Sequence, residues 1–174
     1  IMETSLKRIV HLLLLAALSI LTVNAKVISY PAPKGETLSS DYMVEVDGVS
    51  VPVYMAKTQH HDKKYSIAYF DFSGTVTVKI KSKLSLDHLN ILPDKYAIHP
   101  SVNKDIATFH LNEPCDISFE PDGCNSPLIL FCNELETDIP SKNDPNVIYF
   151  GPGEHNPENC LIRLGSNQTL YLAG

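Results

Sequence analysis

Short runs in which apolar and polar residues alternate constrain this fold more than any other feature of the chain. Residues 75–81, Thr-Val-Thr-Val-Lys-Ile-Lys, are the clearest example, because Val76, Val78 and Ile80 face one side and threonines and lysines face the other. Past residue 26, no stretch sustains the i, i+3, i+4 apolar spacing of an amphipathic helix. The sequence therefore predicts an all-β fold.

Other strand-like runs follow at intervals of roughly 8–12 residues, which is typical of a two-sheet sandwich. Asp47-Gly48 predicts a hairpin turn between the strand at 42–46 and a return strand at 51–55. The further predicted strands are 66–72, 87–92, 106–111, 115–120 and 127–132. We therefore expect an N-terminal antiparallel β-sandwich over residues 26–133.

The first 25 residues have the three parts of a secretory signal peptide. Lys7 and Arg8 precede an apolar run at 9–23, and Val-Asn-Ala at 23–25 supplies the small residues of a cleavage site. The apolar run of about 15 residues is shorter than the roughly 20 that a membrane-spanning helix needs. The alternative is an uncleaved N-terminal anchor. Residues 1–25 thus predict a protein that is secreted or periplasmic.

The charge of the chain excludes some classes of partner. Its net charge is −6 with neutral histidines, and its lysines are scattered rather than clustered. Nucleic-acid binding needs a basic surface, and membrane-surface binding needs a basic amphipathic helix. We therefore expect no nucleic-acid partner, and no membrane partner after signal cleavage.

Four cysteines leave two interpretations open. They are Cys115, Cys124, Cys132 and Cys160. Export would permit disulfides, and a hairpin of 115–120 with 127–132 around Pro121-Asp122-Gly123 would place Cys115 opposite Cys132. The alternative, which the apolar sequence before Cys132 favours, is that the cysteines are small buried apolar residues.

The pattern of apolar and polar residues changes after residue 133. Residues 134–146 are polar and aperiodic and carry two prolines, which predicts a linker. Residues 147–174 then form very short apolar runs separated by Gly and Asn, a pattern typical of the first coils of a parallel β-solenoid. Because the apolar run at 170–174 has no following turn, we expect a truncated chain.

These C-terminal residues resemble a known family. The segments Val-Ile-Tyr-Phe-Gly-Pro-Gly-Glu-His at 147–155 and Ile-Arg-Leu-Gly-Ser-Asn-Gln-Thr-Leu-Tyr-Leu-Ala-Gly at 162–174 are similar to the start of the right-handed parallel β-helix of pectin-degrading enzymes. The resemblance is to bacterial polygalacturonase-like proteins of glycoside hydrolase family 28, with the dextranase family second. Several bacterial members carry a β-sandwich ahead of the helix.

The resemblance implies the activity of a parent protein. That protein would be an inverting glycosidase acting on a pectin-like polysaccharide, with one carboxyl group as acid and another as base. In the family these carboxylates lie on middle coils of the helix, so no catalytic residue is assigned within this chain, and no cofactor or metal ligand either. The fragment would be non-catalytic, its sandwich capping the helix, and the polysaccharide would bind the missing C-terminal part.

A second class of function is a carbohydrate- or protein-binding sandwich of the cell envelope without hydrolase activity. Exposed aromatic side chains aligned on one face would favour it. The tyrosines that could form such a face are Tyr42, Tyr54, Tyr65, Tyr69 and Tyr96.

Acidic and histidine residues elsewhere suggest sites that simpler interpretations explain. Glu120 and Asp122 lie at the predicted hairpin tip, where turns favour acids. The sequence His-His-Asp at 60–62 contains possible zinc ligands, but adjacent residues of an extended chain point to opposite sides, so a solvated loop is favoured.

Four further residues are expected to have structural rather than functional roles. Asp71, in the aromatic strand Tyr-Phe-Asp-Phe, is interpreted as a paired, half-buried acid that holds a neighbouring loop. Glu154 and His155 are assigned to a surface loop. Asn167 begins an N-glycosylation pattern, but a turn or asparagine-ladder role is favoured.

Overall fold

A computed structural model describes residues 25–57 and 64–173 of the chain. The described part contains strands joined by turns and two single-turn 3-10 helices, Asp94–Tyr96 and Glu158–Cys160, and the all-β prediction is confirmed. The strands are β1 Lys26–Ser29, β2 Thr37–Leu38, β3 Tyr42–Val46, β4 Val49–Val51, β5 Tyr54–Lys57, β6 Lys64–Ser73, β7 Val76–Ser82, β8 Asn90–Leu92, β9 Ser101–Asn103, β10 Ile106–Leu111, β11 Cys115–Cys124, β12 Leu128–Glu134, β13 Val147–Phe150 and β14 Thr169–Leu172.

The strands up to β12 form two sheets. The first sheet has the order β2-β5-β6-β12-β11-β8, and β1 lies beside β5 along the same edge of β6. The second sheet has the order β4-β3-β7-β10-β9 and is antiparallel throughout. In the first sheet the pair β6–β12 is parallel, contrary to the purely antiparallel prediction. The parallel pair arises because the chain between β6 and β12 first builds most of the second sheet.

A single apolar core lies between the two sheets. Alternate residues of each strand point into it, as the period of two in Val76, Val78 and Ile80 requires. Tyr42 of the second sheet packs edge-on against Phe119 of the first, with ring centroids 6.0 Å apart. The hydroxyl of Tyr42 donates to the carbonyl oxygen of Ser126. We call this region, residues 26–134, the two-sheet unit.

The predicted hairpin at Asp47-Gly48 is present, but its return strand differs from the prediction. Asp47 and Gly48 have φ angles of 47° and 83°, the positive values that a two-residue hairpin turn requires. The predicted strand 51–55 is split into β4, in the second sheet, and β5, in the first. Pro52 lies at the break, because proline has no N–H to donate to a ladder.

The hairpin of β11 and β12 has the predicted register. Cys115 lies opposite Cys132 and Phe119 opposite Leu128. Residues 120–127 connect the last opposed pair, and within them Asn125 N donates to the Asp122 carbonyl oxygen at 3.3 Å around Gly123, whose φ is 54°, so the turn lies at the predicted position although β11 extends to Cys124. The apolar alternation predicted the register of this hairpin, and Asp122-Gly123 predicted its turn.

Strands β13 and β14 form a separate parallel pair. Val147 lies opposite Thr169 and Phe150 opposite Leu172. Residues 151–168 connect the two strands and bring the chain back in the same direction beside its earlier strand. Backbone bonds from Thr169 N to the Asn146 oxygen, 2.9 Å, and from Ala173 N to the Phe150 oxygen, 2.8 Å, continue the ladder. This is the arrangement that successive coils of a solenoid require.

The predicted signal peptide, except Ala25, lies outside the described residues, and so do residues 58–63. The boundaries at 134–146 and 147–174 stay predictions. Neither short helix of the described part has the length or the apolar character needed to span a bilayer.

Candidate functional site

Three tyrosines form a cluster on the outer face of the first sheet, the face turned away from the core. The ring of Tyr30, just after β1, stacks on that of Tyr69 at a centroid distance of 5.3 Å and an interplanar angle of 18°. The ring of Tyr54 meets Tyr69 edge-on at 6.3 Å. The sequence analysis singled out Tyr54 and Tyr69 but not Tyr30, which we include in this tyrosine cluster.

The other tyrosines of the sequence analysis lie elsewhere, with one exception. Tyr65 shares the outer face, because it lies in β6 at an even spacing from Tyr69. Tyr42 is buried in the core, and Tyr96 lies on a 3-10 helix at another edge. The predicted aromatic face is therefore partly present.

Asp71 anchors the tyrosine cluster. Its side chain is buried, with only 7% of the residue exposed. The hydroxyl of Tyr30 donates to Asp71 Oδ2, and the amide Nδ2 of Asn133 donates to Asp71 Oδ1 at 3.4 Å. Asp71 is thus a hydrogen-bond acceptor that joins β6 to β12 and to the segment after β1. It is more buried than the sequence analysis expected, and its two partners give it a structural role.

The parallel pair meets the two-sheet unit beside this cluster. The rings of Tyr149 and Tyr171, opposite each other in β13 and β14, have centroids 5.2 Å apart. The Tyr171 hydroxyl donates to Glu136 Oε2 at 2.5 Å, and this hydrogen bond raises the pKa of Tyr171 to about 12. Glu136 lies two residues past the end of β12, so this contact joins the parallel pair to the end of the first sheet.

An open cleft of about 460 Å³ lies around the connection between β10 and β11, and sequence reasoning missed it. Its lining includes Tyr96, His99, His110 and Glu113. His110 Nδ1 lies 3.2 Å from the Thr77 hydroxyl. Tyr96 and His99 come from one segment, and His110 and Glu113 from another. No local sequence motif therefore predicts the cleft.

The remaining candidates of the sequence analysis lie apart from these sites. Glu120 accepts a 2.7 Å hydrogen bond from the Ser118 hydroxyl, and Asp122 accepts one from the Asn125 amide at 3.4 Å, beside the turn. Both contacts are local. The structure therefore gives these two acids turn and strand roles.

Two candidates lie in the C-terminal part. His155 is exposed, and its Nε2 lies 2.5 Å from the carbonyl oxygen of Gly151. Asn167, with a φ of 61°, forms the turn before β14. His60, His61 and Asp62 lie outside the described residues. Within the described ranges, no group of three or more His, Cys, Asp or Glu side chains is placed to hold a metal ion.

Burial raises the pKa of four tyrosines above the ordinary value of 10.0, namely Tyr30, Tyr42, Tyr54 and Tyr69. A raised pKa in the folded state stabilises the fold fully below pH 10 and progressively less as the pH rises above it. We therefore expect the denaturation midpoint to fall above pH 10, and the phenolate absorbance of these four tyrosines to appear together with the loss of structure.

A Tyr42→Phe variant is the control for this pH dependence. It retains the ring but cannot ionise, so its stability is expected to fall less steeply above pH 10 than that of the wild type. Tyrosines that all ionised near pH 10 in a protein of unchanged stability would contradict the expectation.

Comparison with known proteins identifies a shared fold. No family model matches the sequence, and no curated protein matches it. Solved structures do match. One of them is Dex49A from Penicillium minioluteum, a dextranase with a right-handed β-helix, which this chain matches with a TM-score of 0.54 and 14% sequence identity.

The match covers 83% of this chain and 43% of the Dex49A chain, so this chain spans less than half the length of that structure. At this level of identity the likeness shows the fold alone. It is to the family that the sequence analysis placed second, and it does not single out glycoside hydrolase family 28.

Proposed function

We propose that this chain is the N-terminal, non-catalytic part of an exported glycoside hydrolase that acts on a polysaccharide. In this proposal the two-sheet unit is a β-sandwich that caps a right-handed parallel β-helix, and β13 and β14 belong to the first coils of that helix. The observation that carries the proposal is the in-register parallel pairing of β13 with β14. The shared fold with a β-helix glycoside hydrolase supports it.

The extent of the structural match adds support. Residues 26–133 make up less than two thirds of the chain, whereas the match to Dex49A covers 83% of it. The likeness therefore extends beyond the two-sheet unit. If only the two-sheet unit resembled Dex49A, the match would cover no more of the chain than that unit does.

Exposed apolar side chains around the parallel pair fit the same proposal. Leu172 of β14 is 70% exposed, and Leu161 and Leu164, in the loop before it, are each about half exposed. Large apolar side chains are stabilised when further coils stack on them, because a solenoid buries its core only between neighbouring repeats. In this proposal the two-sheet unit covers one end of that stack, and the Tyr171–Glu136 hydrogen bond lies at the junction.

The proposed substrate is a pectin-like polysaccharide, as the sequence resemblance implies, and dextran is the alternative that the structural likeness suggests. The test is to incubate the complete gene product with polygalacturonate and, separately, with dextran, and to measure the release of reducing ends. We expect release from one of them, with the first product in the inverted anomeric form by proton NMR.

Release of reducing ends from neither polymer, nor from a wider panel of plant and bacterial polysaccharides, would contradict the hydrolase proposal. The second candidate function, carbohydrate binding without hydrolysis, is favoured by the outer face that carries Tyr54, Tyr65 and Tyr69. It predicts that the protein is retarded in a gel containing one of the polymers while no reducing ends appear.

A further inference from the structure

Cys115 and Cys132 lie directly opposite each other on neighbouring antiparallel strands, and the proposed function assigns them no role. We propose that these two residues form a disulfide bond across β11 and β12 when the protein meets an oxidising disulfide. The inference is independent of which polysaccharide the parent protein binds.

The backbone geometry fits a disulfide. Directly opposed residues of an antiparallel pair have Cα atoms about 4.5–5.5 Å apart. Disulfide bonds join residues whose Cα atoms are about 4.4–6.8 Å apart, so either kind of opposed pair can be bridged without moving the strands. The register of β11 and β12 therefore supplies the separation that the bond needs.

The side chains also point the same way. Cys115 and Cys132 both face the core, with only 6% and 1% of each residue exposed. The next core-facing pair along these strands is Ile117 with Leu130, so the two sulfurs share the same side of the sheet. The two thiols are near enough for each to shift the pKa of the other, down for Cys115 and up for Cys132.

Their environments give the two cysteines different roles. Cys115 lines the open cleft described above and a smaller adjoining one, which Cys132 also touches. Interaction with Cys132 lowers the pKa of the Cys115 thiol, and interaction with Cys115, together with burial, raises that of Cys132. Because the thiolate is the nucleophile in disulfide exchange, Cys115 is the attacking residue and Cys132 the resolving one.

The exchange balances with one molecule of oxidant. The Cys115 thiolate attacks one sulfur of an external disulfide, a new S–S bond forms, and the first thiolate of the oxidant leaves. Cys132 then loses its proton and attacks the Cys115 sulfur, which releases the second thiolate. The two cysteines are oxidised to one disulfide, and the external disulfide is reduced to two thiols.

Peptide mapping of the full chain tests the proposal. The protein is purified with reductant, incubated with oxidised glutathione, denatured and treated with iodoacetamide before digestion. We expect one cross-linked species that joins the peptides of Cys115 and Cys132 and is two hydrogen atoms lighter than those two peptides with free thiols. Cys124 and Cys160, both exposed, should be blocked by iodoacetamide or by glutathione instead of joining each other.

A Cys124→Ser/Cys160→Ser variant is the matched control, since it retains only the opposed pair and must still form the cross-link. In this variant the oxidised protein should also melt several degrees above the reduced one, because the bond restricts the unfolded chain. The proposal is overturned if Cys115 and Cys132 are both alkylated after oxidation, if Cys115 keeps a glutathione adduct, or if either pairs with Cys124 or Cys160.

Discussion

Replacing Phe119 by alanine is expected to lower the free energy of unfolding by about 3–5 kcal/mol. Phe119 is fully buried between the sheets, where its ring packs against Tyr42. Alanine would leave a cavity that the rigid strands on both sides cannot close, so both the transfer energy of the ring and its contacts are lost. Chemical denaturation followed by circular dichroism measures the change.

Phe131→Ala is the matched control for Phe119→Ala. Phe131 lies on the neighbouring strand but on the outer face of the same sheet, where it is 38% exposed. Its removal opens no enclosed cavity, so the loss of stability should be less than half of that at Phe119. Equal losses at the two positions would show that the core does not lie between the two sheets.

Asp71→Ala is expected to destabilise the protein by about 2–3 kcal/mol. The substitution removes the acceptor of the Tyr30 hydroxyl and of the Asn133 amide, and leaves these donors without a partner beside a buried position. Urea denaturation at neutral pH measures the loss. Asp116→Ala, at an exposed position on the same face of the first sheet, is the control and should change stability by about 0.5 kcal/mol or less.

A double-mutant cycle with Tyr30→Phe separates the hydrogen bond from other effects. If Tyr30 acts through Asp71, Tyr30→Phe should cost less in the Asp71→Ala background than in the wild type. Additive losses in the double variant would mean that the Tyr30 hydroxyl and Asp71 contribute independently, and the anchoring role of Asp71 would be wrong.

The sequence predicted those parts of the fold that follow from local alternation. The strand at 106–111 and the register of Cys115 with Cys132 are both as predicted, because a one-residue slip would turn every apolar side chain of a strand towards water. The short strands β1, β2 and β9 were not predicted, since two to four residues are too few to show a period.

Features that depend on distant parts of the chain could not be predicted from local patterns. The parallel pairing of β6 with β12 depends on the path of the chain through the second sheet, which alternation does not encode. The same holds for the candidate sites. Tyr30 and Asp71 are 41 positions apart, and the cleft residues His99 and His110 come from separate segments, so only the folded chain brings them together.

The parallel pair β6–β12 has a consequence for the order in which the chain folds. Asp71 and Asn133, opposite each other in this pair, are 62 positions apart, so β12 is synthesised long after β6. Until then β6 presents an unpaired edge next to Phe70 and Phe72, and such edges promote aggregation. Closing so long a loop is also slow. We therefore expect the denatured chain to refold slowly and to lose more protein to aggregation as its concentration rises.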